Sequence, residues 1–135
     1  MKSASDPNLL SGLIMRLQSG FYVVETEQGL VTCKVRGLLK RGPRIGDIVA
    51  VGDQVKIKLL PEGSGVIEEV EERHHSLERL APTARGVYRQ ILLANPEQVV
   101  LVFACTQPSP SLRMLDRFLV IAEKQEIPPL IVVNK

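Results

Sequence analysis

Tryptophan is absent from the 135 residues, and the remaining aromatic side chains are three Phe and two Tyr. So few aromatics disfavour a surface that stacks a long run of single-stranded bases. No apolar run approaches the roughly 20 residues that a helix needs to cross a bilayer. The N-terminal residues also lack the apolar core of a signal peptide. We therefore predict a cytoplasmic protein that makes no membrane contact.

Metal-binding and disulfide chemistry find little support in the composition. The two cysteines, Cys33 and Cys105, lie far apart and have no metal-like spacing, so two reduced thiols are favoured over a disulfide in a cytosolic protein. The pair His74-His75 has no Cys or carboxylate pair at ligand spacing beside it. A solvated loop is therefore favoured over a metal site there, and we predict that this chain binds no metal.

Charge is unevenly distributed along the chain, although the net charge is only +2. Residues 30–60 contain seven basic side chains and two acidic ones, while residues 61–78 contain six Glu and a single Arg. A basic segment of this kind suggests a surface that binds a polyanion, and a solvated β surface is the alternative. The basic side chains are Lys34, Arg36, Lys40, Arg41, Arg44, Lys56 and Lys58.

Residues 12–72 have the pattern of five short strands separated by turns. In the first, Leu13, Met15 and Leu17 form the alternating apolar set of a half-buried strand. In the third, Val31, Cys33 and Val35 are predicted to face inward, with the residues between them facing out. Five strands are too few for a two-sheet sandwich and suit a small closed barrel, for which a five-stranded OB-like fold is the natural candidate.

Beyond residue 76 the pattern changes from β to α/β. The stretch 76–95, punctuated by Pro82 and Gly86, is predicted to be a linker whose arginines are more easily explained by solvation than by a ligand. The apolar run Val99–Ala104 predicts a strand buried on both faces of a parallel sheet. Ser111 is a plausible N-cap for a helix over 112–124, and 130–133 forms the next strand. One strand–helix–strand unit is not a complete domain, so we expect a truncated α/β part.

The last strand ends in Asn134-Lys135, two polar residues at the position where α/β sheets bind ligands. In nucleotide-binding α/β proteins, a strand ending in Asn-Lys-x-Asp is the guanine-reading element. The Asn amide bonds the purine, the Lys stem lies along the ring, and the Asp carboxylate selects guanine. No Gly-x-x-x-x-Gly-Lys-Ser/Thr phosphate loop occurs in the sequence, so tight GTP binding by these residues alone is not expected. Either the Asn-Lys pair is incidental, or the phosphate loop follows it in the full protein.

An OB-like barrel followed by such a unit resembles the circularly permuted GTPases of the ribosome small-subunit-dependent class, which act in late assembly of the 30S particle. The resemblance covers nearly the whole chain. The order and spacing of its segments carry it together, and no single segment decides it. They include Gly20-Phe21-Tyr22-Val23-Val24, Cys33-Lys34-Val35-Arg36-Gly37, Val51-Gly52-Asp53-Gln54-Val55, Leu115-Asp116-Arg117-Phe118-Leu119 and Val133-Asn134-Lys135. One departure is Asn95-Pro96-Glu97, where the family more often has Asn, an aliphatic residue and Asp.

The resemblance implies that the full protein uses GTP and Mg and has a structural Zn only in a C-terminal domain outside this chain. It implies a monomer that binds the 30S subunit and 16S rRNA and couples GTP hydrolysis to release. We predict a barrel domain at 1–75, a linker at 76–95 and a partial P-loop GTPase domain at 96–135, ending inside the guanine-recognition motif.

In this hypothesis Asn134 and Lys135 bind the nucleotide and the seven basic residues of 30–60 bind RNA. The scarcity of aromatics favours contact through phosphates and shape. No catalytic residue is assigned, no cofactor is expected on this chain, and the chain alone is predicted to be inactive. The alternative hypothesis is a stand-alone RNA-binding barrel without enzymatic activity.

Overall fold

The computed structural model of the chain describes residues 9–37, 48–83 and 86–135. A barrel comes first, then a β-hairpin, then a strand–helix–strand unit. The barrel strands are β1 (Leu9–Gln18), β2 (Phe21–Thr26), β3 (Gly29–Val35), β4 (Gln54–Leu59) and β5 (Gly65–Val70). The remaining elements are β6 (Ser76–Thr83), β7 (Gly86–Ala94), β8 (Val99–Ala104), α1 (Leu112–Lys124) and β9 (Pro129–Asn134).

The five N-terminal strands form a closed barrel in the order β1-β2-β3-β5-β4. Four of the pairings are antiparallel, and β3 and β5 pair in parallel through Cys33↔Gly65, Lys34↔Val66 and Val35↔Ile67. Closure leaves these strands without the exposed edges of an open sheet. The interior is filled by small and β-branched side chains: Ile14, Val24, Val31, Cys33, Val49, Val55, Ile57 and Ile67. The prediction of a five-stranded barrel is confirmed.

The inward face was predicted correctly for β3 and wrongly for β1. Val31 and Cys33 are buried and Val35 is half-buried, as their alternation predicts. In β1, however, Ile14 is fully buried, whereas Met15 and Leu17 are 49% and 45% exposed. The register with β2 shifts between Ile14 and Arg16, which marks a bulge in β1. Ile14 lies before this bulge and is buried in phase with Gly12. Because Leu13, Ile14 and Met15 are all apolar, alternation alone does not decide which phase faces inward.

The stretch that was predicted to be a linker forms a hairpin. β6 and β7 pair with each other in antiparallel register from Ser76↔Ala94 to Thr83↔Gly86 and make a separate two-stranded sheet. Pro82 lies within β6 and Gly86 begins β7, so both of these residues, which read as breaks in the sequence, belong to paired strands.

The α/β unit follows the prediction closely. β8 and β9 are parallel neighbours, and α1 begins after Ser111, whose hydroxyl accepts a hydrogen bond from the Met114 N–H at 3.3 Å. Leu101 and Ala122 are buried between sheet and helix. α1 is the one helix in the described part of the chain and lies on one side of the sheet. On the other side Val100, Val102, Leu130 and Val132 are exposed. Ile131 and Val133 of β9 are exposed as well, although they share a face with the buried Leu101. None of the described helices is long and apolar enough to cross a membrane.

The end of the hairpin is joined to the barrel at the turn that precedes β4. The Ala94 N–H donates to the Val51 carbonyl at 2.8 Å, which attaches the end of β7 to the barrel. The Asn95 side chain accepts from the His74 N–H at 2.8 Å and donates to the Gly52 carbonyl at 3.2 Å. Asn95 has a positive φ of 49°, a conformation that Asn tolerates better than most residues. These bonds determine how the barrel is joined to the rest of the chain.

Candidate RNA-binding surface and nucleotide site

Four of the seven basic residues predicted to bind RNA are described, and they share one surface of the barrel. Lys34 lies on β3 with Arg36 just after it, and Lys56 and Lys58 lie on β4. Lys40, Arg41 and Arg44 lie outside the described residues. Lys34 and Lys58 are both opposite Val66 of β5. Since neighbouring strands are about 4.8 Å apart, the backbones of these two lysines are separated by about 10 Å.

Acidic residues of β5 lie within this basic surface. Arg36 forms an ion pair with Glu68, and the Lys56 Nζ lies 3.6 Å from a Glu69 carboxylate oxygen. The sequence places the acidic segment after the basic one, but barrel closure inserts β5 between β3 and β4. Lys34 and Lys58 form no ion pair with any described carboxylate. Of the four described cations, these two are therefore the ones whose charge is available to a ligand.

A further feature of this surface was missed by the sequence reasoning. The Lys34 Nζ lies 4.9 Å from the centroid of the Phe21 ring, a cation–π distance. Phe21 is the first residue of β2 and remains partly exposed. The only hint in the sequence is that an aromatic residue directly follows the Ser19-Gly20 turn.

Asn134 and Lys135 lie at the carboxyl end of β9. Asn134 is the register partner of Ala104 at the end of β8, and the Cys105 N–H donates to the Asn134 carbonyl at 3.0 Å. Both side chains are exposed. Because β8 and β9 are parallel, their carboxyl ends form one edge of the small sheet, the edge at which α/β proteins bind ligands.

His75 and the two cysteines, the other groups considered for metal binding or disulfide formation, have surroundings that suit a role in the fold. The Nδ1 of His75 lies 3.0 Å from the Gln125 carbonyl oxygen, a contact between the hairpin and the end of α1. Both cysteines are free thiols, as predicted, with Cys105 exposed and Cys33 inside the barrel. Burial raises the pKa of the Cys33 thiol to about 11 from an ordinary 9.0. A thiol with that pKa stays protonated and unreactive near neutral pH.

Comparison with known proteins gives two consecutive family matches. The model described as the RsgA N-terminal domain matches residues 11–67, and the model described as the RsgA GTPase matches residues 70–135. Two similar curated proteins are each named "Small ribosomal subunit biogenesis GTPase RsgA". The one from Moorella thermoacetica is 38% identical over 93% of this chain and 39% of its own length. The one from Chlorobaculum tepidum is 39% identical over 93% of this chain and 43% of its own length.

Solved structures agree with these matches. YjeQ from Thermotoga maritima superposes with a TM-score of 0.71 at 32% identity, covering 94% of this chain and 41% of YjeQ. YloQ, described as a circularly permuted GTPase, superposes with a TM-score of 0.66 at 31% identity, covering 98% of this chain and 43% of YloQ. The chain thus spans about two fifths of the length of these relatives. Since the two RsgA matches follow each other along nearly all of the chain, the chain belongs to the RsgA family.

Proposed function

We propose that this chain is part of a GTPase that acts in late assembly of the small ribosomal subunit. The observation that carries the proposal is the succession of a closed barrel and a parallel strand pair whose last strand ends in Asn134, within consecutive RsgA matches. The proposed division is a barrel domain at 1–75, a linker at 76–95 and a partial GTPase domain at 96–135. The whole protein is proposed to be a cytoplasmic monomer that couples GTP hydrolysis to release from the 30S subunit.

The barrel is proposed to bind 16S rRNA. Lys34 and Lys58 lie on either side of β5 and have no ion-pair partner among the described residues. They can therefore bind phosphates without first breaking an ion pair. Arg36 and Lys56 must exchange Glu68 and Glu69 for phosphate, which lowers their net contribution. Lys40, Arg41 and Arg44 complete the proposed set of RNA-binding residues.

The end of β9 is proposed to hold one edge of the guanine site. The Asn134 amide can hydrogen-bond the purine, and the aliphatic stem of Lys135 can lie along the ring. Both side chains are exposed at the carboxyl edge of the sheet, where a ligand can reach them. In the whole protein GTP and Mg are the proposed cofactors, and the phosphates and the metal ion would control switch loops. A structural Zn would belong to sequence outside these 135 residues.

The barrel assignment is tested by binding to purified 30S subunits over a range of salt concentrations. Affinity is expected to fall steeply as salt rises, because phosphate contacts release counterions. Lys34→Glu combined with Lys58→Glu is expected to weaken binding strongly and to lower the log–log salt slope by about 2. The matched control is Arg113→Glu with Arg117→Glu, which makes the same charge change on the exposed surface of α1. Equal loss in both double variants would refute the assignment to this barrel surface.

A further inference from the structure

The outer surface of β1, β2 and β3 presents Phe21 beside polar and basic groups. Pairing registers define two rows across these strands. Arg16, Val23 and Thr32 form one row, and Gln18 and Phe21 form the next, with Lys34 reaching over the ring from β3. The Phe21 side chain is 45% exposed. A half-exposed aromatic ring with Lys34 over one face and Arg16 in the neighbouring row is a combination that a solvated barrel surface does not require.

A groove lies beside this ring. It has a volume of about 280 Å³ and is lined by Arg16, Gln18, Ser19, Phe21, Val23 and Thr32. The lining offers an apolar wall from Phe21 and Val23, and it offers hydrogen-bonding groups from the guanidinium, the amide and the two hydroxyls. Arg16 Nη2 donates to the side-chain Oε1 of Gln18, which holds these two side chains side by side.

The chemistry of the groove fits a base better than an apolar side chain. A nucleobase has a flat π-face for the ring and a polar edge that can bond the guanidinium, amide and hydroxyl groups. An apolar peptide side chain would cover the same polar groups without bonding them, which is costly. Arg16 and Lys34 also give the surface the positive charge that the phosphates on either side of a base require.

We propose that Phe21 stacks against one unpaired base of the bound RNA, with Arg16, Gln18 and Thr32 bonding the edge of that base. Lys34 supplies the charge for an adjoining phosphate. This inference rests on the proposed RNA binding by the barrel and goes beyond it, because it assigns a position that distinguishes unpaired from paired RNA. It also modifies the expectation from composition, which favours phosphate and shape contacts over stacking.

The first test uses Phe21→Leu, which keeps an apolar side chain at an exposed position and removes the π-face. Affinity for a short single-stranded oligo(A) RNA is expected to fall by about 5- to 160-fold, the range for loss of one stacked base. Affinity for an RNA duplex of the same length is expected to stay unchanged. The matched control is Leu30→Ala, which truncates another exposed apolar side chain at the far end of β3 and should change neither affinity.

The second test uses Phe21→Trp, which places a single Trp in a chain that has none. Its fluorescence is expected to be quenched by the single-stranded RNA and unaffected by the duplex, because stacking requires an open base. Wild-type affinity in Phe21→Leu, or an unquenched Trp in a complex that has formed, would overturn the inference. RNA binding that depends on Lys34 and Lys58 but not on Phe21 would overturn this inference alone. Absence of all RNA binding would overturn the proposed function as well.

Discussion

The guanidinium of Arg73 binds both oxygens of the fully buried Asp53 carboxylate: Nε and Nη2 each donate a hydrogen bond of 2.7 Å. One of these oxygens also accepts the Ala50 N–H at 2.7 Å. Asp53 directly precedes β4 and Arg73 follows β5, just before the hairpin. This bidentate pair therefore fastens the segment that leaves the barrel to the turn at which the hairpin is joined to the barrel.

Replacing Arg73 with Met is expected to destabilise the protein by about 3–5 kcal/mol, because the Asp53 charge stays buried after its partner is removed. Adding Asp53→Asn should recover part of that loss, since no charge is then buried. The control is Arg36→Met, which removes the exposed pair with Glu68 and should cost at most about 1 kcal/mol. Urea unfolding of the four proteins measures these differences. Equal stabilities of the Arg73 and Arg36 variants would contradict the importance of the buried pair.

Gly52, at the same turn, lies close to the backbone of Ala94. It has a φ of 90°, and a Cβ added to it would collide with the Ala94 carbonyl oxygen. Gly63 has a similar φ of 85° with nothing within 4 Å of such a Cβ. Gly63→Ala should therefore cost only the backbone strain of about 1–2 kcal/mol. Gly52→Ala should cost clearly more and speed hydrogen exchange at the Ala94 N–H. Similar losses in the two variants would show that the approach to Ala94 does not matter.

The two thiols are expected to react at very different rates. At pH 8 Cys105 should be labelled rapidly by a thiol reagent, and Cys33 should react only after unfolding, because burial raises its pKa to about 11. Cys105→Ser should abolish the fast phase and leave the slow one.

The same thiol predicts a pH effect on stability. The unfolded thiol ionises near pH 9.0 while the folded one stays neutral to about 11. The contribution of the Cys33 thiol to the free energy of unfolding is therefore complete below pH 9, and it is lost as the pH rises from 9 to about 11. Cys33→Ala should remove this part of the pH dependence in urea unfolding, and a pH profile identical to wild type would contradict it.

The α/β unit is expected to be less protected from hydrogen exchange than the barrel and to cause self-association of the chain. Its open sheet face exposes four apolar side chains, including Val102 at 62%, and such faces promote association. Amides of β8 and β9 should exchange faster than those of the barrel in a dilute monomer. Val102→Lys should reduce self-association in sedimentation experiments without lowering stability. The control is Gln54→Lys on the barrel, which adds the same charge at an exposed position. Reduction by both variants alike would mean that charge, and not this face, controls association.

These 135 residues alone are expected to bind GTP or GDP no better than millimolar. Asn134 and Lys135 supply one edge of a base site, whereas most nucleotide affinity comes from a phosphate loop and Mg, and no such loop occurs in the sequence. Calorimetry at micromolar protein should show no heat. A micromolar dissociation constant would instead reveal a phosphate site elsewhere in the chain.

Local sequence patterns were sufficient to predict features that depend on a single strand or helix. The bounds of β8 and α1, the Ser111 cap and the inward face of β3 all follow from spacing within a few residues. A helix cap needs only the N–H groups of its own first turn, and strand alternation needs only a period of two. The location of Asn134-Lys135 at the carboxyl edge of the sheet likewise follows from their position at the end of a strand.

Tertiary structure decided everything that depends on which strands become neighbours. Closure through the parallel β3–β5 pairing places Glu68 beside Arg36, 32 positions away, and turns a basic segment into a mixed surface. Ile14 faces inward opposite Val24 of β2, and the Asp53–Arg73 pair joins residues 20 positions apart. None of these contacts has a local signature, because each becomes favourable only after chain closure has brought its two partners together.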